Sequence, residues 1–241
     1  MKSSLSFNLT FLILSLLKSS PANTQSAISP EPIIQRLIER MDKIRDYKAE
    51  VQISIDIPFL KIPIKKAIIY YRHPNKFHLE TKGLSLFPKA ASGLSGQNIL
   101  KIPHTAIYVR KEQRGHFGLH VIKIVPMKDT GDVVLSTLYI SEKDEKIYRV
   151  ETITRNDGWV NIDMTPGNNP FGLPDRMVMT FEIPRVELPA GFTGDVDVGL
   201  ESSKTHIGAK DKKTKGTVAI TYTKYDFNIG LGEDIFKHKG S

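Results

Sequence analysis

Residues 48–57, KAEVQISIDI, alternate strictly: Ala49, Val51, Ile53, Ile55 and Ile57 take one face, and Glu50, Gln52, Ser54 and Asp56 take the other. That is the period of a strand with one buried face. The next run, Ile62 to Tyr71, carries Ile68, Ile69, Tyr70 and Tyr71 in succession, so both of its faces are at least partly apolar and it predicts a strand covered on both sides. Ahead of these strands the period changes. Ser29, Pro30 and Glu31 supply an N-cap, a first-turn proline and an early acid, and Ile33, Ile34, Leu37, Ile38, Met41 and Ile44 then recur at helical spacing. The pattern predicts one amphipathic helix ending near Asp46, with Arg36, Glu39, Arg40, Asp42 and Lys43 on its outer face.

Almost everything after that helix reads as strand. Further strands are predicted at 77–82, 105–111, 119–125, 133–141, 147–154, 159–164, 177–183 and 217–229, punctuated by His73-Pro74-Asn75, by Glu142 to Lys146 and by the hairpin signal Asn156-Asp157-Gly158. Short connections predict antiparallel pairing. The fold class is therefore α+β and mostly antiparallel β: one curved, incompletely closed barrel covered on its concave side by the amphipathic helix. Two segments break the rhythm. Gly83 to Leu100 is apolar, irregular and rich in Gly and Ser, and Pro166 to Asp175 is a Pro/Gly/Asn loop; either is placed to lie over an opening as a lid. There is no internal repeat and no sign of a second domain, so residues 28–241 read as a single domain.

The 241 residues, 40% of them apolar, suffice for one packed core. The N-terminus stands apart: Lys2 precedes an apolar run from Leu9 to Leu17, long enough for a secretory signal and too short to span a bilayer. Residues 1–27 are expected to be a signal peptide cleaved near Ala22 or Ala27, the alternative being a retained anchor. The formal charge is 34 − 26 = +8, and loss of Lys2 and Lys18 reduces it to +6. Part of the excess sits in Lys210 to Lys215, which reads as a solvated turn rather than the interleaved basic and aromatic groove that nucleic acid requires. With no cysteine there is no disulfide framework and no N-terminal lipid attachment, so an exported form would be soluble, and it is expected to be a monomer.

Chemistry is sparse. His116 and His120 have i, i+4 spacing, but Gly115 and Gly118 make the segment extended, which sets the rings about 13 Å apart and disfavours a metal site. The acid pairs Glu233-Asp234 and Asp195/Asp197 lie in polar surroundings, without the apolar pocket that raises a carboxyl pKa. There is no thiol nucleophile, nucleophile elbow or phosphate loop. No cofactor, metal site or enzymatic activity is expected. Arg72 is the more informative charge. By parity with Ile68 and Tyr70 its stem would run along an apolar face, leaving the guanidinium either to snorkel at an edge or to latch loop or helix carbonyls over an unfilled cavity.

The order of motifs resembles a family. A helix, then Asp46-Tyr47-x-Ala49-x-Val51, then Tyr71-Arg72-His73-Pro74-Asn75-Lys76-Phe77-His78, resembles the opening of the periplasmic outer-membrane lipoprotein carriers, the LolA-like proteins. His120–Met127, Leu138–Arg149, the Asp157-Gly158 hairpin, Tyr222-x-x-Tyr225-Asp226-Phe227-Asn228-x-Gly230-Leu231 and Ile235-Phe236 are similar to that family's middle and closing strands. The resemblance implies an unclosed barrel with a helical lid and an apolar cavity for acyl chains, with the lid-latching arginine falling on Arg72. Tyr70, Leu84, Leu86 and Phe87 are the expected cavity or lid contacts. It further implies a soluble periplasmic carrier in outer-membrane lipoprotein sorting, which receives acylated lipoprotein or lipid from an inner-membrane donor and passes it to an outer-membrane acceptor. A periplasmic lipid-sensing regulator of envelope stress with the same fold is the alternative.

Overall fold

The computed structural model describes residues 28–57, 60–81, 100–127, 132–155, 158–183 and 214–237. The segment read as a signal peptide, and Leu84, Leu86 and Phe87, lie outside the described residues. The helix α1 (Glu31–Asp42) leads into β1 (Asp46–Ile57), β2 (Leu60–Lys61), β3 (Lys65–Arg72), β4 (Lys76–Thr81), β5 (His104–Arg114) and β6 (Phe117–Pro126). There follow β7 (Val133–Ser141), β8 (Ile147–Thr154), β9 (Trp159–Pro166), β10 (Pro174–Ile183), β11 (Thr214–Phe227) and a closing 3-10 turn, η1 (Glu233–Phe236).

The strands form one sheet in the order β4, β3, β1, β11, β10, β9, β8, β7, β6, β5, with the short β2 added to β1. All pairings are antiparallel. Among the described residues β4 and β5 stay at opposite edges, so the barrel is unclosed, as the strand pattern predicts. Curvature comes from bulges, each of which adds a residue to one strand and bends it. Register shifts place such extra residues at Thr223 opposite β1, Asp175 opposite β9, Val109 opposite β6 and Val134 opposite β8.

The alternation of β1 holds as read. Ala49, Val51, Ile53 and Ile55 are buried, whereas Glu50, Gln52, Ser54 and Asp56 are exposed. They share one apolar cluster with Ile69, Ile122, Ile124, Leu138, Ile140, Val160, Ile162, Met179, Val218 and Ile220, which lines the concave face of the curved sheet. Onto that face α1 lays Ile33, Ile34, Leu37 and Met41. Its first turn differs in detail from the expectation: Pro30 is the capping residue, and the Ser29 hydroxyl donates to the Glu31 carboxylate instead of to a backbone amide.

The expectation for β3 needs correcting. Its buried side chains are Ala67, Ile69 and Tyr71, while Ile68, Tyr70 and Arg72 stay half-exposed on the opposite face. The strand is covered on one side, not two. Two consecutive tyrosines give no parity signal, and the pairing with β1 decides the matter by placing Ile69 opposite the buried Ala49 and Tyr71 opposite Tyr47.

Candidate functional site

The candidate site is a cavity of about 60 Å³ between α1 and the sheet. Leu37, Arg40 and Met41 form its roof; Tyr47, Tyr222, Tyr225, Met164 and Met177 line its floor. Its aromatic floor depends on a parity break. In β11, Ile220 and Tyr222 face inward, and strict alternation would then turn Tyr225 and Phe227 outward. The extra residue at Thr223 shifts the register, so Lys224 opposes Glu50 while Tyr222 opposes Val51, and Tyr225 and Phe227 also point into the barrel. The Thr223 hydroxyl donates to the Glu50 carbonyl at 3.0 Å, which occupies an acceptor at the irregularity. The result is a stack: the rings of Tyr222 and Tyr225 lie 5.1 Å apart and those of Tyr225 and Phe227 5.2 Å apart, both nearly parallel. Tyr47 meets Tyr225 edge-on at 5.7 Å, and Phe171 meets Phe227 at 4.8 Å.

The Pro/Gly/Asn loop contributes the side wall. The Asn169 side chain accepts from the Phe171 and Leu173 amides and donates to the Leu173 carbonyl, and this holds Phe171, Gly172 and Leu173 against the cavity. Gly172 has a φ of 72°, and a Cβ there would come within 3.4 Å of the Arg40 guanidinium. Glycine thus suits both the turn and the close passage of that arginine.

Polar contacts fasten the roof at its rim. Arg40 donates to the Asp144 carbonyl at 3.2 Å and the Glu145 carbonyl at 3.1 Å, in the turn between β7 and β8, and Arg36 pairs with the Glu145 carboxylate at 2.6 Å. At the other end Asp42 pairs with Lys101 at 3.0 Å. The connection from α1 to β1 is held more deeply. The buried Asp46 carboxylate accepts from the Ile229 and Gly230 amides, and Asn228 bonds both the Lys43 carbonyl and the Arg45 amide. The C-terminal end of the roof is therefore tied through the buried Asp46, and its flank by Arg36 and Arg40 at the β7–β8 turn.

Arg72 and Tyr70 sit elsewhere. Arg72 donates to the Leu231 carbonyl at 3.1 Å and to Glu233 at 2.7 Å, and Lys76 meets the same carboxylate. It does bond a loop carbonyl, but the segment it ties down is the C-terminal one rather than α1. Tyr70 lies on the same outer face, where it donates to Glu80 at 2.9 Å and its ring tilts against His78. Arg40, Tyr47 and the Tyr222/Tyr225 pair are among the lining residues that sequence reasoning did not assign to the cavity.

Other candidate chemistry is structural. His116 is exposed in the β5–β6 turn, while His120 lies within β6 with Nδ1 3.1 Å from the Tyr108 hydroxyl. Burial lowers the pKa of His120. Among the described residues no three His, Cys, Asp or Glu side chains gather as a metal site would require. Glu233 is occupied by its two cations, and Asp195 and Asp197 lie outside the described residues.

Solved structures show where this architecture recurs. A DUF1329 family protein from Desulfovibrio piger superimposes with a TM-score of 0.53 at 13% identity, over 88% of this chain and 98% of that one. A domain assigned to outer membrane lipoprotein sorting, from Vibrio parahaemolyticus, gives 0.50 at 12% identity, over 86% and 95%. The chain shares its fold with these two proteins. A LolA superfamily protein from Nitrosomonas europaea also matches, with a TM-score of 0.48 at 12% identity over 85% and 97%. No family model and no curated protein matches the sequence. At these identities the likeness is one of fold.

Proposed function

We propose that the protein is a soluble periplasmic carrier that takes acyl chains of a lipoprotein or lipid beneath α1 and ferries them between membranes. The observation that carries this reading is the apolar, aromatic cavity roofed by α1, whose flank is held to the β7–β8 turn by Arg36 and Arg40. As closed, about 60 Å³ admits only a handful of water-sized groups, too few for a fatty chain, so loading requires α1 to lift. The anchored Lys43–Asp46 connection supplies the pivot.

Magnitudes make such a movement feasible. Exposing Ile33, Ile34, Leu37 and Met41 at 1.5–3 kcal/mol each would cost about 6–12 kcal/mol. A palmitoyl-length chain, at about 0.8 kcal/mol per methylene, returns about 12 kcal/mol when it occupies the vacated floor. The two terms are comparable, so an acyl chain can replace the helix face, and exchange is set by how firmly the rim is fastened. No covalent step is needed. Delivery to an acceptor then requires only a partner whose own apolar groove competes for the same chain.

The test is transfer of a fluorescent diacylated lipopeptide from donor to acceptor vesicles, with native mass spectrometry of the intermediate. We expect saturable loading of the purified protein and a transfer rate that rises with its concentration. Absence of any lipopeptide complex in detergent-free solution rules the carrier out. A complex that forms but gives no transfer favours the sensing role instead.

A further inference from the structure

The floor of the cavity is not uniformly apolar. Three phenolic hydroxyls, those of Tyr47, Tyr222 and Tyr225, gather in it, and they differ in what they bond. Tyr225 donates to the Pro174 carbonyl at 2.7 Å, a full hydrogen bond. Tyr222 directs its proton at the Met177 sulfur at 3.2 Å, a weak acceptor. Tyr47 is only 6% exposed, and among the described residues its hydroxyl meets no donor or acceptor. A buried hydroxyl without a partner is costly, and natural cores rarely keep one unless something else satisfies it. Phenylalanine would fill the same ring position against Tyr71 and Tyr225 without that cost.

We propose that Tyr47, with Tyr222 beside it, is a polar anchor for the carbonyl of an acyl ester, so that the cavity recognises the head of an acylated chain and not hydrocarbon alone. This rests on the carrier reading and narrows its cargo. The chemistry required is a neutral acceptor. Burial raises the pKa of both phenols, which remain proton donors across the physiological range. The two cations that line the cavity already face carboxylates, Arg40 that of Glu145 at 3.7 Å and Lys146 that of Asp144 at 4.0 Å. A carboxylate would therefore enter without a free counter-charge from either, whereas an ester carbonyl needs only the hydroxyls. An ether-linked chain of equal length buries the same methylenes and leaves Tyr47 unpaired.

Monopalmitoylglycerol, its hexadecyl ether analogue and palmitate separate these cases in a titration with the full protein. The ester is expected to bind about threefold to tenfold more tightly than the ether, the scale of one hydrogen bond, with palmitate weaker than the ester at neutral pH. Tyr47→Phe should remove the preference while leaving ether affinity equal or improved, and Tyr222→Phe should reduce it. The carbonyl stretch of the bound ester should lie lower in frequency with the native protein than with Tyr47→Phe. Equal binding of ester and ether by the native protein, or a preference that survives Tyr47→Phe, overturns the anchor and leaves the carrier reading standing. Failure of all three lipids to bind overturns both. Palmitate matching the ester, with the same loss in Tyr47→Phe, keeps the carbonyl anchor and assigns free fatty acid as its source.

Discussion

Arg40 and Arg72 make nearly the same contacts in two different places. Each gives its guanidinium to backbone carbonyl oxygen and lies near a glutamate: Arg40 with Asp144, Glu145 and the Glu145 carboxylate, Arg72 with Leu231 and Glu233. What differs is the element that each one restrains. Arg40 stands on α1 beside the cavity, so its bonds hold the roof to the β7–β8 turn. Arg72 stands on the outer face of β3 and holds the C-terminal turn against the β3–β4 hairpin. Local chemistry identifies a latch in both cases, and only the tertiary position says which door it closes.

Arg40→Ala offers the largest break in that comparison. It removes two charge-assisted bonds in a partly buried setting and should lower unfolding stability by about 1–3 kcal/mol, read from the urea midpoint. If the rim limits exchange, the same change should speed release of a bound acyl probe by roughly tenfold or more, measured by stopped-flow displacement. Arg40→Lys should recover little of this, because a point charge on a flexible stem does not span two carbonyls as the planar fork does. Arg72→Ala is expected to cost about 1 kcal/mol or less and to leave acyl release unchanged. Faster release in Arg72→Ala, with none in Arg40→Ala, would reverse the assignment of the two arginines.

Much of this was readable from the chain, and the misreadings share one cause. Binary alternation located β1, and turn residues located the hairpins, because those signals are local: one face of Val51, Ile53 and Ile55 is apolar whatever the rest of the molecule does. The choice of inner face in β3 is not local. Ile68, Ile69, Tyr70 and Tyr71 satisfy either parity, and the register against Tyr47 and Ala49 settles it, with the consequence that Tyr70 and Arg72 turn outward. The inward direction of Tyr225 likewise depends on a bulge that strict period-two reasoning excludes. Arg36 and Arg40 were legible as the charged face of a helix. That the face meets a turn more than a hundred residues away is a property of the sheet's curvature, and no nearby sequence pattern encodes it.

The smallest effect is a pH dependence confined to the Arg72 side. The hydrogen bond from Lys76 holds the Glu233 carboxyl below its ordinary pKa; desolvation opposes it, and the nearby Arg72 and Lys76 charges add to the lowering. For a group whose folded pKa is depressed, the linked stabilisation is complete above the unfolded value and disappears as pH falls through the folded one. The tie between η1 and the β3–β4 hairpin should therefore be constant through neutral pH and loosen only in acid, below the ordinary carboxylate range. Because Glu233 is exposed, the effect is local: amide protection of residues 231–236 should fall with acid in hydrogen-exchange measurements while that of β1 and β11 persists. Glu233→Gln should show the low protection at every pH and lose the acid step. If protection in this segment instead falls through neutral pH, Glu233 does not govern the tie, and the pairing of Arg72 with a charged partner at working pH is overturned.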